Sequence, residues 1–379
     1  MRRRKNDKKS YGYRFFIFFY KIIFNNEIYF IGDIYTQSFP WKTFLQNSIQ
    51  NKSIPYWSPF NFSGTPFLAD IQKGAFYPPG IVFYLFDFAV AFKIFIIIHF
   101  FILGISSYFL LKSFGFRSIS SVIGSFIVLF NSFSITRINF LGAIGTYALF
   151  PLILLEFRKL LFLKNYNRLI FFTILLSLSF LAGHPSVFFY NLIFLFLYFV
   201  YHLKDEKITI FKYNNIIQFI IYFLICVIAF LFLTMPQSGL FYDFIKNTGR
   251  FDMSYSEITA DSASFSDLLS FILLGKIFTT KINPLFDWYG FSMGILNFFS
   301  ITFIFLLILS IFYPKNNFYN FNLIVILLAL FLSLGKNTPI HSWFYAFIPF
   351  FKLLRHPGFA IQLAVLPMTS IASYTIDNI

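Results

Sequence analysis

Apolar runs of roughly membrane-crossing length recur along this chain, separated by short polar stretches. A helix needs about 20 residues to cover the hydrocarbon core. Runs of that kind lie near 89–111, 118–135, 143–162, 168–183, 186–203, 214–235, 293–313, 320–335 and 358–376. A weaker one, 13–31, is interrupted by Lys21, Asn25, Asn26 and Glu27. The pattern predicts an all-α membrane protein: a polytopic bundle of about nine to ten transmembrane helices forming one domain over residues 1–379.

Three longer polar stretches interrupt the apolar pattern, at 32–88, 236–292 and 336–357. The first holds Pro40, Pro55, Pro59, Pro66, Pro78 and Pro79, six of the fifteen prolines. Such irregular backbone has N–H and C=O groups that lipid does not solvate, so it must lie in water or line a protein cavity. A mere connection needs only a few residues, and a loop this long points to function. Within it, WKTFLQNSIQ after Pro40 places Trp41, Phe44, Leu45 and Ile49 at helical spacing, which predicts an amphipathic helix at the membrane surface. The second stretch suggests a surface helix near 265–274, capped by Ser264 or Ser266. The third mixes Trp343 and Tyr345 with Lys352, Arg355 and His356, an interfacial composition.

Charge adds an orientation. The start (1–13) carries Arg2, Arg3, Arg4, Lys5, Lys8 and Lys9, and alternate loops carry Lys112 and Arg117, then Arg158, Lys159, Lys164 and Arg168, then Lys204, Lys207 and Lys212. The other set of loops carries Asp33, Asp70 and Asp87, and then Asp243, Asp252, Glu257, Asp261, Asp267 and Asp287. Short basic loops stay cytoplasmic, so the N-terminus is expected inside the cell, in a bacterial inner (plasma) membrane, with the acidic loops outside. Composition agrees: 58% of residues are hydrophobic, 12% are charged and the mean hydropathy is +0.72. The net charge of +15 is spread over short loops, which fits membrane topology and anionic headgroups and excludes nucleic acid. The single cysteine, Cys226, excludes a disulfide within the chain.

Candidate chemistry collects in the loops assigned to the outside. Asp33, followed by Tyr35, Thr36 and Gln37, is a carboxylate at the water boundary that can take a proton from a hydroxyl or hold a divalent cation; a solvated helix-end acid is the plainer reading. Asp70 is a turn or cap residue, or a second ligand to Mg²⁺ or Mn²⁺ together with Asp33. Asp87 reads as a helix start. Gly183-His184-Pro185 fits a tight helix hairpin, with His184 available as a phosphate donor or acid–base group. Arg355 and His356 open the last apolar run, where a guanidinium can either snorkel or fork onto a lipid phosphate; Arg250 is a second cation of that kind. No nucleotide-binding glycine loop occurs, and only Lys93 and His99 stand out inside the spans, which argues against an ATP-driven pump and an ion-coupled transporter.

Several blocks occur in order: Asp33 with Gln37, Phe39 and Pro40; Ile54, Pro55, Trp57 and Pro59, then Gly64 and Pro66; Ala69, Asp70, Gln72 and Gly74 leading into Phe76-Tyr77-Pro78-Pro79; Gly183-His184-Pro185; Tyr289-Gly290; and Leu354-Arg355 with Pro357 and Phe359. From about Gly32 onward this series resembles the bacterial YfhO-type multi-pass membrane proteins, which belong with the GT-C class of lipid-linked-sugar glycosyltransferases. Against that pattern the chain is a short or truncated member, and it has Gly32 and Ile34 where many class members pair a second acid with Asp33. The resemblance implies an enzyme that moves a sugar from a polyprenyl-phosphate-linked donor to an envelope glycan or glycolipid on the outer face, with Asp33 as base. Arg355, with His184 or Arg250, would neutralise the departing phosphate. A non-enzymatic flippase for lipid-linked sugars would use the same cavity without a base, and a scaffold for other envelope enzymes would need neither.

Overall fold

The computed structural model describes residues 32–60, 63–163, 167–203, 213–249, 253–265 and 301–379. Among these the protein is an all-α membrane protein whose longer helices coincide with apolar runs. The helices are α1 (Phe39–Gln50), α2 (Phe88–Ser113), α3 (Ser118–Phe130), α4 (Leu141–Phe162), α5 (Asn167–Leu181), α6 (Pro185–His202), α7 (Tyr213–Lys246), α8 (Ile301–Leu309), α9 (Asn317–Ser333), α10 (Pro339–Phe347) and α11 (Gln362–Asn378). Of these α1 and α10 lie within the polar stretches. Among the described residues five helices are long and apolar enough to cross a membrane: α2, α4, α6, α7 from Ile220, and α11 with the turn that precedes it. A sixth crossing is formed if α3 and the short helical stretch after it, bent by 41°, count as one. The weak segment at 13–31 and most of the surface helix expected near 265–274 lie outside the described residues.

The last helix stands at the centre. α11 packs against α3, α6, α8 and α9, and it is almost wholly buried, although its sequence QLAVLPMTSIASYTIDN is less apolar than that of its neighbours. Small and hydroxylated residues explain this, because they let helix backbones approach closely where lipid offers no hydrophobic drive for association. Thr369, Ser370 and Thr375 return their hydroxyls to carbonyls one turn back, on Val365, Leu366 and Ile371. At the other extreme α7 packs against α5 and leaves most of its surface to lipid.

Among the described residues the connections between helices gather into two groups. In one the basic connections are tied together: Arg117 bonds Asp377, Arg158 reaches the Ser113 carbonyl at 2.9 Å, and Arg168 and Lys159 both meet the buried Glu156. In the other the first long loop packs on the α5–α6 hairpin. Gly183, at φ +100°, lets that hairpin turn, and a Cβ placed there would lie 2.2 Å from the Ile71 carbonyl oxygen. Gly142 makes a similar approach to the backbone of Ala182 and Gly183.

The loop itself holds a two-stranded ribbon pairing Trp57–Ser58 with Thr65–Pro66, and α1 forms where expected after a π-helical turn, Ile34–Ser38. The face that α1 buries differs from the expected one: Lys42, Leu45 and Ser48 turn inward, while Ile49 is 45% exposed. The reason is local, because α1 lies over backbone carbonyls of its own loop and the lysine is the side chain that can bond them. Asp87 caps α2 by accepting from the Val90 N–H at 3.1 Å, as expected.

Replacing Gly183 with Ala should destabilise the protein by about 2 kcal/mol or more, since both the left-handed backbone and the Ile71 contact oppose a side chain. A thermal melt of the detergent-solubilised protein that matches wild type would show that this packing is not as described.

Candidate functional site

Where these loops converge, a cavity of about 330 Å³ is lined by Asp33, Gln37, Lys42, Tyr77, His184, Arg355 and His356, with Phe95, Phe140 and Phe359 among its apolar walls. Five sequence-selected residues therefore share one space: Asp33 and Gln37 from the start of the first loop, His184 from the hairpin, and Arg355 and His356 from the approach to α11. The volume lies within the range of small-ligand sites.

Asp33 stands at the N-terminal edge of the π-helical turn. Its Oδ1 accepts from Gln37 Nε2 at 2.9 Å and, more distantly, from the Thr36 hydroxyl at 3.5 Å. Burial pushes its carboxyl above the usual carboxylate range, while the Thr36 hydroxyl and the positive charge of Arg137 pull it partly back. Arg137 is fully buried behind the cavity wall, its guanidinium 4.5 Å from the Phe359 ring centre, 4.9 Å from that of Phe133 and 5.2 Å from that of Phe140.

His184, on the same cavity, caps α6. Its Nδ1 accepts from the Val187 N–H at 3.3 Å, so in the neutral ring the proton sits on Nε2. The ring packs on Phe359. His356 is held in a left-handed conformation (φ 63°, ψ 79°) immediately before Pro357, where the following ring restricts the backbone further. Its Nδ1 lies 2.6 Å from Asp261 Oδ2, an ion pair between the second and third long loops when the ring is protonated. The Arg355 Nε is buried and has no hydrogen-bond partner among the described residues.

Lys42, read in the sequence as part of the polar face of α1, is buried at the cavity edge. Its ammonium donates to the carbonyls of Lys73 at 2.8 Å and Gly74 at 3.5 Å. Burial lowers its pKa to about 8. Tyr77 is buried too, and its hydroxyl is 2.7 Å from His99 Nε2. Since His99 Nδ1 is 2.6 Å from the Phe95 carbonyl, that nitrogen is the donor and Nε2 accepts the Tyr77 proton. The one histidine that stood out inside a span is thus a support for a cavity residue. Asp261, Arg137, Lys42 and Tyr77 were not selected from sequence; Lys42 carried a signal, a lysine one helical turn from the apolar Leu45.

Asp70 goes elsewhere. It caps the turn Ile71–Lys73, accepting from the Gln72 N–H at 3.1 Å with the Lys73 ammonium 3.9 Å away, and it does not line the cavity. The Asp33–Asp70 pair proposed for a divalent cation is therefore not assembled. Among the described residues no cluster of three or more His, Cys, Asp or Glu side chains could hold a metal. With Lys42 and Arg355 lining the same space, the donor set fits Mg²⁺ or Mn²⁺ poorly. Arg250 and the Tyr289-Gly290 pair lie outside the described residues.

No protein-family model, curated protein or solved structure matches the chain.

The arrangement suits an anion beside a hydroxyl. An ammonium whose pKa is lowered to about 8 loses its charge as pH rises through that value, instead of near its ordinary value of about 10.4. Binding of inorganic phosphate to the detergent-solubilised protein should therefore weaken above pH 8, against the trend set by phosphate's own ionisation. In Lys42→Arg the weakening should be absent, because guanidinium stays charged. Identical pH profiles for the two proteins would remove Lys42 from anion binding.

Proposed function

We propose that the protein is a membrane glycosyltransferase of GT-C type, related to the YfhO-type proteins. It would take a sugar from a polyprenyl-phosphate-linked donor and pass it to an envelope glycan or glycolipid at the outer face of the plasma membrane. The reading includes nine to ten crossings, counting 13–31, with the N-terminus cytoplasmic. The observation that carries it is the shared cavity: one carboxylate, with its pKa raised by burial, lines the same space of about 330 Å³ as the side chains of Lys42 and Arg355.

In this mechanism the ionised Asp33 takes the proton of the acceptor hydroxyl. The acceptor oxygen forms a bond to the anomeric carbon as the bond from that carbon to the phosphate oxygen breaks. The electron pair leaves with the polyprenyl phosphate, and inversion follows from attack opposite the leaving group. Gln37 orients the carboxylate through the bond already described. Lys42 and Arg355 stabilise the charge that grows on the leaving phosphate, which is where fixed charges contribute most to rate. His184, whose Nδ1 accepts from the Val187 N–H, is left with Nε2–H as a donor at the same cavity. No step passes through a divalent cation.

Asp33→Asn should lower transfer at least about 100-fold, the usual contribution of a general base, with protein levels in the membrane unchanged. Arg355→Gln should lower kcat by about 100-fold or more. The measurement is formation of glycosylated product from a radiolabelled polyprenyl-phosphate sugar. The wild-type rate should rise with pH as Asp33 loses its proton, at a midpoint above the ordinary carboxylate value of about 3.9 because burial raises it. Full activity in Asp33→Asn would remove the base, and movement of labelled donor across vesicles with no covalent product would replace the transferase with a flippase.

A further inference from the structure

A second cavity, of about 310 Å³, lies on the far side of the wall that bounds the first. Tyr77 and Ala182 line the first space, whereas their chain neighbours Phe76, Pro78 and Leu181 line the second. Its other walls come from α5 and α7, with Ile174, Leu178, Leu233 and Pro236. Ile174 and Leu233 are also exposed on the lipid-facing flank of these helices, so the cavity opens toward the bilayer.

Two polar side chains stand in this apolar lining, Ser177 on α5 and Gln237 on α7. Gln237 is fully buried, and its Nε2 donates to the carbonyls of Leu68 at 3.2 Å and Ala69 at 3.4 Å. Those two acceptors fix which end of the amide is nitrogen, so Oε1 points away from them. Oε1 has no hydrogen-bond partner, and neither has the buried Ser177 Oγ. A buried polar atom left unpaired is destabilising, and such atoms call for a ligand. The described lining holds no charged side chain, so the site offers nothing to a phosphate headgroup.

We propose that this cavity binds a neutral, hydroxyl-bearing lipid, separate from the phosphate-bearing donor of the first cavity. A hydroxyl is the group whose chemistry suits both orphans, since it can donate to Gln237 Oε1 and accept from Ser177 Oγ, while the chain would lie along the apolar walls between α5 and α7. An ester oxygen satisfies only Ser177. Water satisfies the polar atoms but leaves a largely apolar volume of this size without partners for further waters. The proposal stands independently of sugar transfer, because its readout is binding.

The test is native mass spectrometry of the full chain released from nanodiscs, with three probes: 1-monooleoylglycerol, methyl oleate, which has the same chain without a hydroxyl, and dioleoylphosphatidylcholine. Monooleoylglycerol should bind about tenfold more tightly than methyl oleate, the effect of one buried hydrogen bond, here the one to Gln237 Oε1 that an ester cannot donate, and Ser177→Ala should weaken binding of both probes while leaving that preference in place. Leu233→Trp changes only the lipid-facing mouth, so it keeps the fold and should abolish binding. Equal binding of the ester or the phospholipid, no bound lipid, or unchanged binding in Leu233→Trp would each overturn the proposal.

Discussion

Irregular backbone in a membrane protein must find its hydrogen bonds in water or within the protein, and the arrangement of this molecule follows from how the first loop meets that demand. The carbonyls of Lys73 and Gly74 are taken by the Lys42 ammonium, and those of Leu68 and Ala69 by the Gln237 amide. Both donors are buried side chains on helices, so the loop is pinned from α1 on one side and from α7 on the other. Pinning lets the stretch from Ile71 to Gly74 lie against Gly183, and the space left between the pinned loop, the hairpin and the approach to α11 is the first cavity. The lysine that ties down the loop also places a positive charge at that cavity's edge.

Electrostatically the cavity is asymmetric. One carboxylate, destabilised as an anion by burial, is steadied by a glutamine, a threonine hydroxyl and a buried guanidinium behind the wall. Lining the same space are groups that hold or donate protons. A site of this kind disfavours a bare anion near Asp33 and favours one near Lys42 and Arg355. The left-handed backbone at His356 fits the same picture, since strain of this sort persists where surrounding contacts, here the Asp261 pair and the Phe359 packing, hold it.

Much of this was legible in the sequence because it rests on patterns that one dimension carries. Apolar run length located the long helices, and Asp33, the Gly-His-Pro turn and the Arg-His pair marked the place where the cavity lies. Residues whose role depends on three-dimensional partners were not legible. Lys42 reads as solvated because the carbonyls it bonds lie 31 and 32 positions away in sequence. Arg137 sits just past an apolar run, like any basic loop residue, and only the fold surrounds it with Phe133, Phe140 and Phe359. Asp70 shows the reverse case: the sequence allowed a metal ligand, and the adjacent Gln72 N–H and Lys73 ammonium took its carboxylate.

The close approach of Gly142 and Gly183 gives the innermost surface of the cavity a main-chain character, and main chain is the same whatever the codon. Natural variation has little purchase there, since any added side chain meets a carbonyl. Selectivity for whatever the cavity holds must then come from its rim, on α1 and the 353–359 turn, where side chains and not main chain meet the space.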